Sequence, residues 1–128
     1  MDNKKQANEL SSQIIGAAIE VHRNLGPGLL ESAYQTCHKH ELCLRRVPVQ
    51  TEVPLPVKYK GIQLDCGYRI DEVVGGLVVV EIKWVERFEP IHEAQLLTYL
   101  RLSGLWLGLL INFNVPVLKN GIKRLVLG

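Results

Sequence analysis

The chain has 128 residues, a formal net charge of +2, and 22% charged against 47% hydrophobic residues, the proportions of one ordinary globular domain. A chain of this length can bury a core without disulfide or metal staples, and its composition excludes a disordered or fibrous protein. The near-neutral balance neither announces nor excludes a nucleic-acid binder, which needs only a local basic patch.

Met1-Asp2-Asn3-Lys4-Lys5-Gln6 is not followed by an apolar run of signal-peptide length. The most apolar stretch, Leu105 to Leu118, is broken by Gly108, Asn112 and Pro116. It is also shorter than the roughly 20 residues of a membrane span. Cys37, Cys43 and Cys66 lack a framework spacing. A cytoplasmic protein with free thiols and no membrane partner is expected.

Polar residues 1–8 are expected to fray. Ile14, Ile15, Ala18, Ile19, Val21 and Leu25 then predict an amphipathic helix from Leu10 to Leu25. Gly26-Pro27-Gly28 ends it. A second helix is predicted from Leu29 to Arg45, closed by Val47-Pro48. Period-two alternation through Val53, Leu55, Val57 and Tyr59, with Pro54 and Pro56, predicts an edge strand over 52–59. Lys60-Gly61 leads into a strand over 62–74, and Gly75-Gly76 is a hairpin signal. Leu77 to Lys83 is apolar on both faces as far as Glu81, so it is expected in the sheet interior. Pro90 opens a third helix to Leu102, followed by strands over 105–113 and 122–127. The order is α-α-β-β-β-α-β-β in a single α/β domain spanning 1–128.

Glu81 interrupts an apolar strand, and a buried carboxylate costs several kcal/mol unless it is paired or metal-bound. Period two sets Glu81 and Lys83 on one face. Simple mutual pairing at a strand end accounts for a lone Glu-x-Lys. Asp71 adds a second carboxylate across the hairpin. A two-residue Gly75-Gly76 loop pairs Asp71 with Val80 and sends the two acids to opposite faces. A three-residue loop, Gly75-Gly76-Leu77, or a bulge pairs Val74 with Val78 and sets Asp71 opposite Glu81. Two such carboxylates repel, and Mg²⁺ or Mn²⁺ is the usual remedy.

Asp71 followed by Glu81-Ile82-Lys83 resembles the signature of PD-(D/E)XK nucleases, with Ile70 in place of the motif's proline. Gly28-Leu29-Leu30-Glu31-Ser32-Ala33-Tyr34 is similar to the G-x-x-E-x-x-Y pattern of the GxxExxY family within that superfamily. Val21 to Gly28 and His92 to Leu100 add to the likeness, which covers about residues 10 to 127. The resemblance implies a restriction-endonuclease-like αβββαβ core, a mixed five-stranded sheet flanked by helices, with an extra N-terminal helix. It implies a metal-dependent nuclease acting on phosphodiester bonds of DNA or RNA. Asp71 and Glu81 would be metal ligands, with the Ile82 carbonyl as a third and Glu31 as an additional acidic ligand. Lys83 would be the catalytic lysine. Gln95 and Tyr99, four apart on one helical face, resemble a Q-x-x-x-Y element that orients the lysine or the nucleic-acid backbone. The alternative is a nucleic-acid-binding or regulatory module without turnover. The modest charge suits a weak or homodimer-assisted grip.

Other candidates read more blandly. Cys37, His38, His40 and Cys43 match no zinc-finger spacing and predict a partly buried thiol with solvated histidines. His22 reads as a surface residue, and His92 as a residue lining the site or its helix. Tyr34 is expected in the core with its hydroxyl on Glu31 or the nearby loop. Trp84 and Trp106 read as packing residues, Trp84 also as a base-stacking one. Glu72 is charged where a core-facing residue belongs, a rival carboxylate to Asp71.

Overall fold

The computed structural model describes residues 3–128. Helix α1 spans Asn3–Leu25, and its stripe of Ala7, Ser11, Ile14, Ala18 and Val21, spaced alternately four and three apart, is buried. Residues 3–8 are thus the first turns of α1, with Ala7 only 2% exposed, a correction to the expected fraying. Residues 1 and 2 lie outside the described residues. Helix α1 stops at Gly26, which takes φ +70°. Helix α2 spans Glu31–Leu44 and buries Tyr34, His38 and Leu42 at four-residue steps. Helix α3 spans Pro90–Ser103, starting with proline and ending on Gly104 at φ +75°.

The strands are β1 (Val49–Pro54), β2 (Val57–Tyr59), β3 (Ile62–Leu64), β4 (Arg69–Val74), β5 (Val78–Lys83), β6 (Leu107–Asn112) and β7 (Ile122–Val126). Five form one mixed sheet in the order β1-β4-β5-β6-β7. Its pairs are antiparallel except β5 and β6, which run parallel through the α3 crossover. Such a sheet covered by helices is a restriction-endonuclease-like α/β fold. Among the described residues, no helix is long and apolar enough to cross a membrane.

Two expected strands come out divided. The run 52–59 splits into β1 and β2, and 62–74 into β3 and β4; β2 and β3 form a separate hairpin. Pro56 has no N–H to offer a ladder. The second break lies at Asp65-Cys66-Gly67, where the Asp65 carboxylate accepts the Gly67 N–H at 3.1 Å and Gly67 takes φ +80°.

Central β5 supplies both cores. Val78, Val80 and Ile82 pack with Ile14, Tyr34, Leu42, Leu107 and Leu109 under α1 and α2. Val79 packs with Val73, Leu96, Leu100 and Leu110 under α3. Gly108 lets α3 come close, since a Cβ there would stand 2.8 Å from Leu96 Cδ1.

Candidate active site at the open end of the β4–β5 hairpin

The hairpin register decides whether a site exists. Val74 pairs with Val78, Val73 with Val79 and Glu72 with Val80. The loop is therefore Gly75-Gly76-Leu77, closed by the Leu77 N–H on the Val74 carbonyl at 3.0 Å. Both glycines have positive φ, +59° and +69°. Gly75 also lies so close to α1 that a Cβ would meet Leu10 Cδ1 at 2.6 Å. The odd loop length carries Asp71 to the position opposite Glu81.

There the backbone ladder gives way to side chains. The Asp71 N–H donates to Glu81 Oε2 at 2.8 Å, and the Ile82 N–H donates to Asp71 Oδ2 at 2.8 Å. Each carboxylate thus holds the other strand. Glu81 is 3% exposed. Burial, then the charge of Asp71, pushes its carboxyl up to about 8 against the opposing pull of the Asp71 N–H and Lys83. Burial pushes Asp71 up to about 6, opposed by the Ile82 N–H and Lys83 and aided by Glu31 and Glu52.

Lys83 Nζ lies 3.9 Å from Glu81 Oε1 and 3.4 Å from Gln95 Oε1. Gln95 Nε2 donates in turn to the Tyr99 hydroxyl at 3.3 Å. Burial and the nearby charges of Glu81 and Asp71 raise the Tyr99 pKa. Asp71, Glu81, Ile82, Lys83, Gln95 and Tyr99 are therefore one contiguous group. Glu31 stands apart. It is exposed in the first turn of α2 and acts on both carboxyls through its charge. Among the described residues, no three His, Cys, Asp or Glu side chains gather closely enough to ligate one ion.

The donor set fits a hard divalent cation. One oxygen of each acid is committed to a backbone N–H, and the other oxygens, Asp71 Oδ1 and Glu81 Oε1 (3.9 Å from Lys83 Nζ), are of the hard type such an ion would take. Mg²⁺ commonly binds through one or two carboxylates and completes its shell with water and substrate. The Ile82 N–H faces β4, while the Lys83 carbonyl accepts the Phe113 N–H on the β6 side. Adjacent carbonyls alternate along a strand, so the Ile82 carbonyl is directed to the β4 side.

Three supporting residues escaped the sequence reading. Gln35 Nε2 donates to the Asp71 carbonyl and to Glu52 Oε1, both at 3.2 Å. Its spacing of four from Glu31 on α2 was the available signal. Glu52 faces Asp71 in the β1–β4 register, between Thr51↔Glu72 and Val53↔Ile70. It has φ +52°, a conformation that side chains other than glycine rarely hold. Buried Asn112 holds the chain leaving β5, donating to the Val85 carbonyl at 2.7 Å and accepting its N–H at 3.1 Å.

Several expectations are corrected. Glu72 is no rival to Asp71. It is wholly buried under α2, with its carboxyl oxygens 2.8 and 3.0 Å from His38 Nδ1. His38 is likewise buried rather than solvated, with Nε2 3.0 Å from the Ile14 carbonyl. Nε2 must be the donor there, so Nδ1 and Glu72 share a proton. His22 is also buried, against the Val115 carbonyl at 2.7 Å. His92 caps α3, its Nδ1 accepting the Glu89 N–H at 2.9 Å. Tyr34 is in the core as expected. It stacks on Phe113 with centroids 4.5 Å apart, and its hydroxyl binds Gly26, Gly28 and Leu29 backbone.

Two acids crossed over an odd-looped hairpin, with a lysine two residues beyond the second, thus stand together on a restriction-endonuclease-like fold. A family model described as the PD-(D/E)XK nuclease superfamily matches residues 8–125, and the chain belongs to that superfamily. No curated protein and no solved structure matches it.

Proposed function

We propose that this protein is a Mg²⁺- or Mn²⁺-dependent nuclease that hydrolyses phosphodiester bonds in DNA or RNA. The crossed Asp71–Glu81 pair with Lys83 beside it carries the reading. Asp71, Glu81 and the Ile82 carbonyl hold the cation, and Glu31 adds negative field or a ligand through water. Bound there, the cation supplies Lewis-acid charge to a scissile phosphate and acidifies a water. Lys83 donates to a phosphate oxygen or orients the attacking water. Gln95, backed by Tyr99, keeps the ammonium of Lys83 from collapsing onto Glu81. Gln35 steadies the Asp71 backbone from α2.

Within the superfamily we place the chain in the GxxExxY branch, on Gly28, Glu31 and Tyr34. The Tyr34 hydroxyl ties down the loop that leads into Glu31. A cytoplasmic setting and a homodimeric grip on substrate belong to the same reading. The sparse donor set favours one second reading, a nucleic-acid-binding or regulatory module without turnover.

Incubation with mixed single- and double-stranded DNA and RNA in Mg²⁺ or Mn²⁺ tests the proposal. Cleavage that stops in EDTA and falls on the order of 10²–10³-fold in Lys83→Ala is expected. Metal-independent binding without any cleavage would select the second reading.

A further inference from the structure

A groove of about 410 Å³ opens beside the candidate site, within the roughly 300–1,000 Å³ range of small-molecule sites. Its walls include Val57 of β2, Tyr68 before β4, and Ile91, Gln95, Tyr99 and Leu102 of α3. Gln95 and Tyr99 are also the residues that carry Lys83, so the groove begins where the carboxylate site ends. Tyr68 meets Tyr99 edge-on, with centroids 6.5 Å apart at 65°. Tyr68 is 47% exposed and Ile91 68% exposed. None of the groove's lining residues is charged.

We infer that this groove takes an unpaired nucleobase next to the phosphate bound at Asp71 and Glu81, so that the substrate class is single-stranded or frayed nucleic acid. The inference rests on the proposed nuclease reading for the position of that phosphate. Walls without a cationic side chain hold a phosphate weakly, since its affinity comes mainly from Lys and Arg, and the Gln95 amide is already engaged with Tyr99 and Lys83. They suit the face of a base, which gains from stacking on an aromatic ring whatever its identity. A base inside a duplex has both faces occupied by its neighbours and cannot present one to Tyr68. The backbone passes Asp71 and Glu81 while the adjacent base turns toward α3 and rests against Tyr68.

Fluorescence anisotropy of a labelled 12-mer, as DNA and as RNA, single-stranded and in a blunt duplex, tests this with Ca²⁺ replacing Mg²⁺ to suppress turnover. Single strands are expected to bind more tightly than the duplex. Tyr68→Ala should weaken single-strand binding by about 5- to 150-fold, the usual worth of one aromatic–base stack. Tyr68→Trp should retain it. The Tyr68 side chain is half exposed, and an unchanged melting temperature of each variant confirms the fold. Wild-type-like single-strand binding by Tyr68→Ala, or equal affinity for the blunt duplex, overturns the inference. Metal-dependent cleavage together with indifference to Tyr68 overturns the groove alone and spares the nuclease reading. Tyr68-dependent single-strand binding without cleavage in any metal supports the groove and overturns the nuclease reading.

Discussion

Asp71 and Glu81 each close the other's strand: the backbone N–H of Asp71 rests on the Glu81 carboxylate, and the Asp71 carboxylate accepts the N–H of Ile82. The backbone ladder ends one step earlier, at Glu72 and Val80. A buried acid, Glu81, and a half-buried one, Asp71, thereby sit beside each other in a sheet interior without leaving these two strand N–H groups unpaired. The arrangement is costly for the carboxylates and well suited to a cation.

That cost gives a pH signature. Burial raises Asp71 from 3.8 to about 6 and Glu81 from 4.5 to about 8. Across this window the folded chain keeps protons that the unfolded chain has released. The unfolded state binds fewer protons, so stability falls as pH rises through it. The melting temperature in EDTA should decline from about pH 4 to about pH 8, and the decline should shrink when saturating Mn²⁺ binds the folded state. An Asp71→Asn/Glu81→Gln double variant should lose this component. A wild-type profile that is flat, or that rises, would contradict the burial of the pair.

Lysine and glutamine should separate in kinetics. Lys83→Ala removes the ammonium and should lower the cleavage rate on the order of 10²–10³-fold, as for loss of a donor to developing charge. Gln95→Leu leaves the ammonium present but unheld and should cost about tenfold, in the range of a small geometric misplacement. Single-turnover rates at saturating metal distinguish the two. A larger loss for Gln95→Leu than for Lys83→Ala would mean that Gln95 does more than position Lys83.

Removing His38 should damage the fold. His38→Ala leaves Glu72 wholly buried without its partner, which should destabilise the protein by about 3–5 kcal/mol. His38→Leu/Glu72→Leu should recover most of that loss, because it replaces the pair with apolar groups. Urea unfolding of the single and double variants gives both values. A neutral His38→Ala would show that Glu72 finds another donor.

Glu52 offers a test of strain next to the site. Its φ of +52° disfavours any Cβ, so Glu52→Gly should be more stable than Glu52→Ala by about 1–2 kcal/mol. Both variants lose the carboxylate, so the difference isolates the backbone. Equal unfolding midpoints for the two would place Glu52 in an ordinary extended conformation in solution.

Much of the site was legible because it depends on local periodicity. Alternation along Val78 to Lys83 set Glu81 and Lys83 on one face, and the glycine pair allowed the three-residue loop that brings Asp71 across. Helical spacing set Gln95 and Tyr99 together. The chain order of helices and strands followed from the same short-range patterns and from proline and glycine at their ends.

What only the tertiary structure decided involves partners far apart in the chain. His38 and Glu72 are 34 residues apart, and Gln35 and Asp71 are 36 apart. No period in the sequence distinguishes a buried charged pair from two solvated residues. The strand breaks at Pro54-Val57 and Leu64-Arg69 also turn on which neighbour claims the backbone N–H groups. Glu31 has the right residue type and helix. Its distance from the carboxylates is set by how α2 lies across β4 and β5, and that packing leaves it acting through its field.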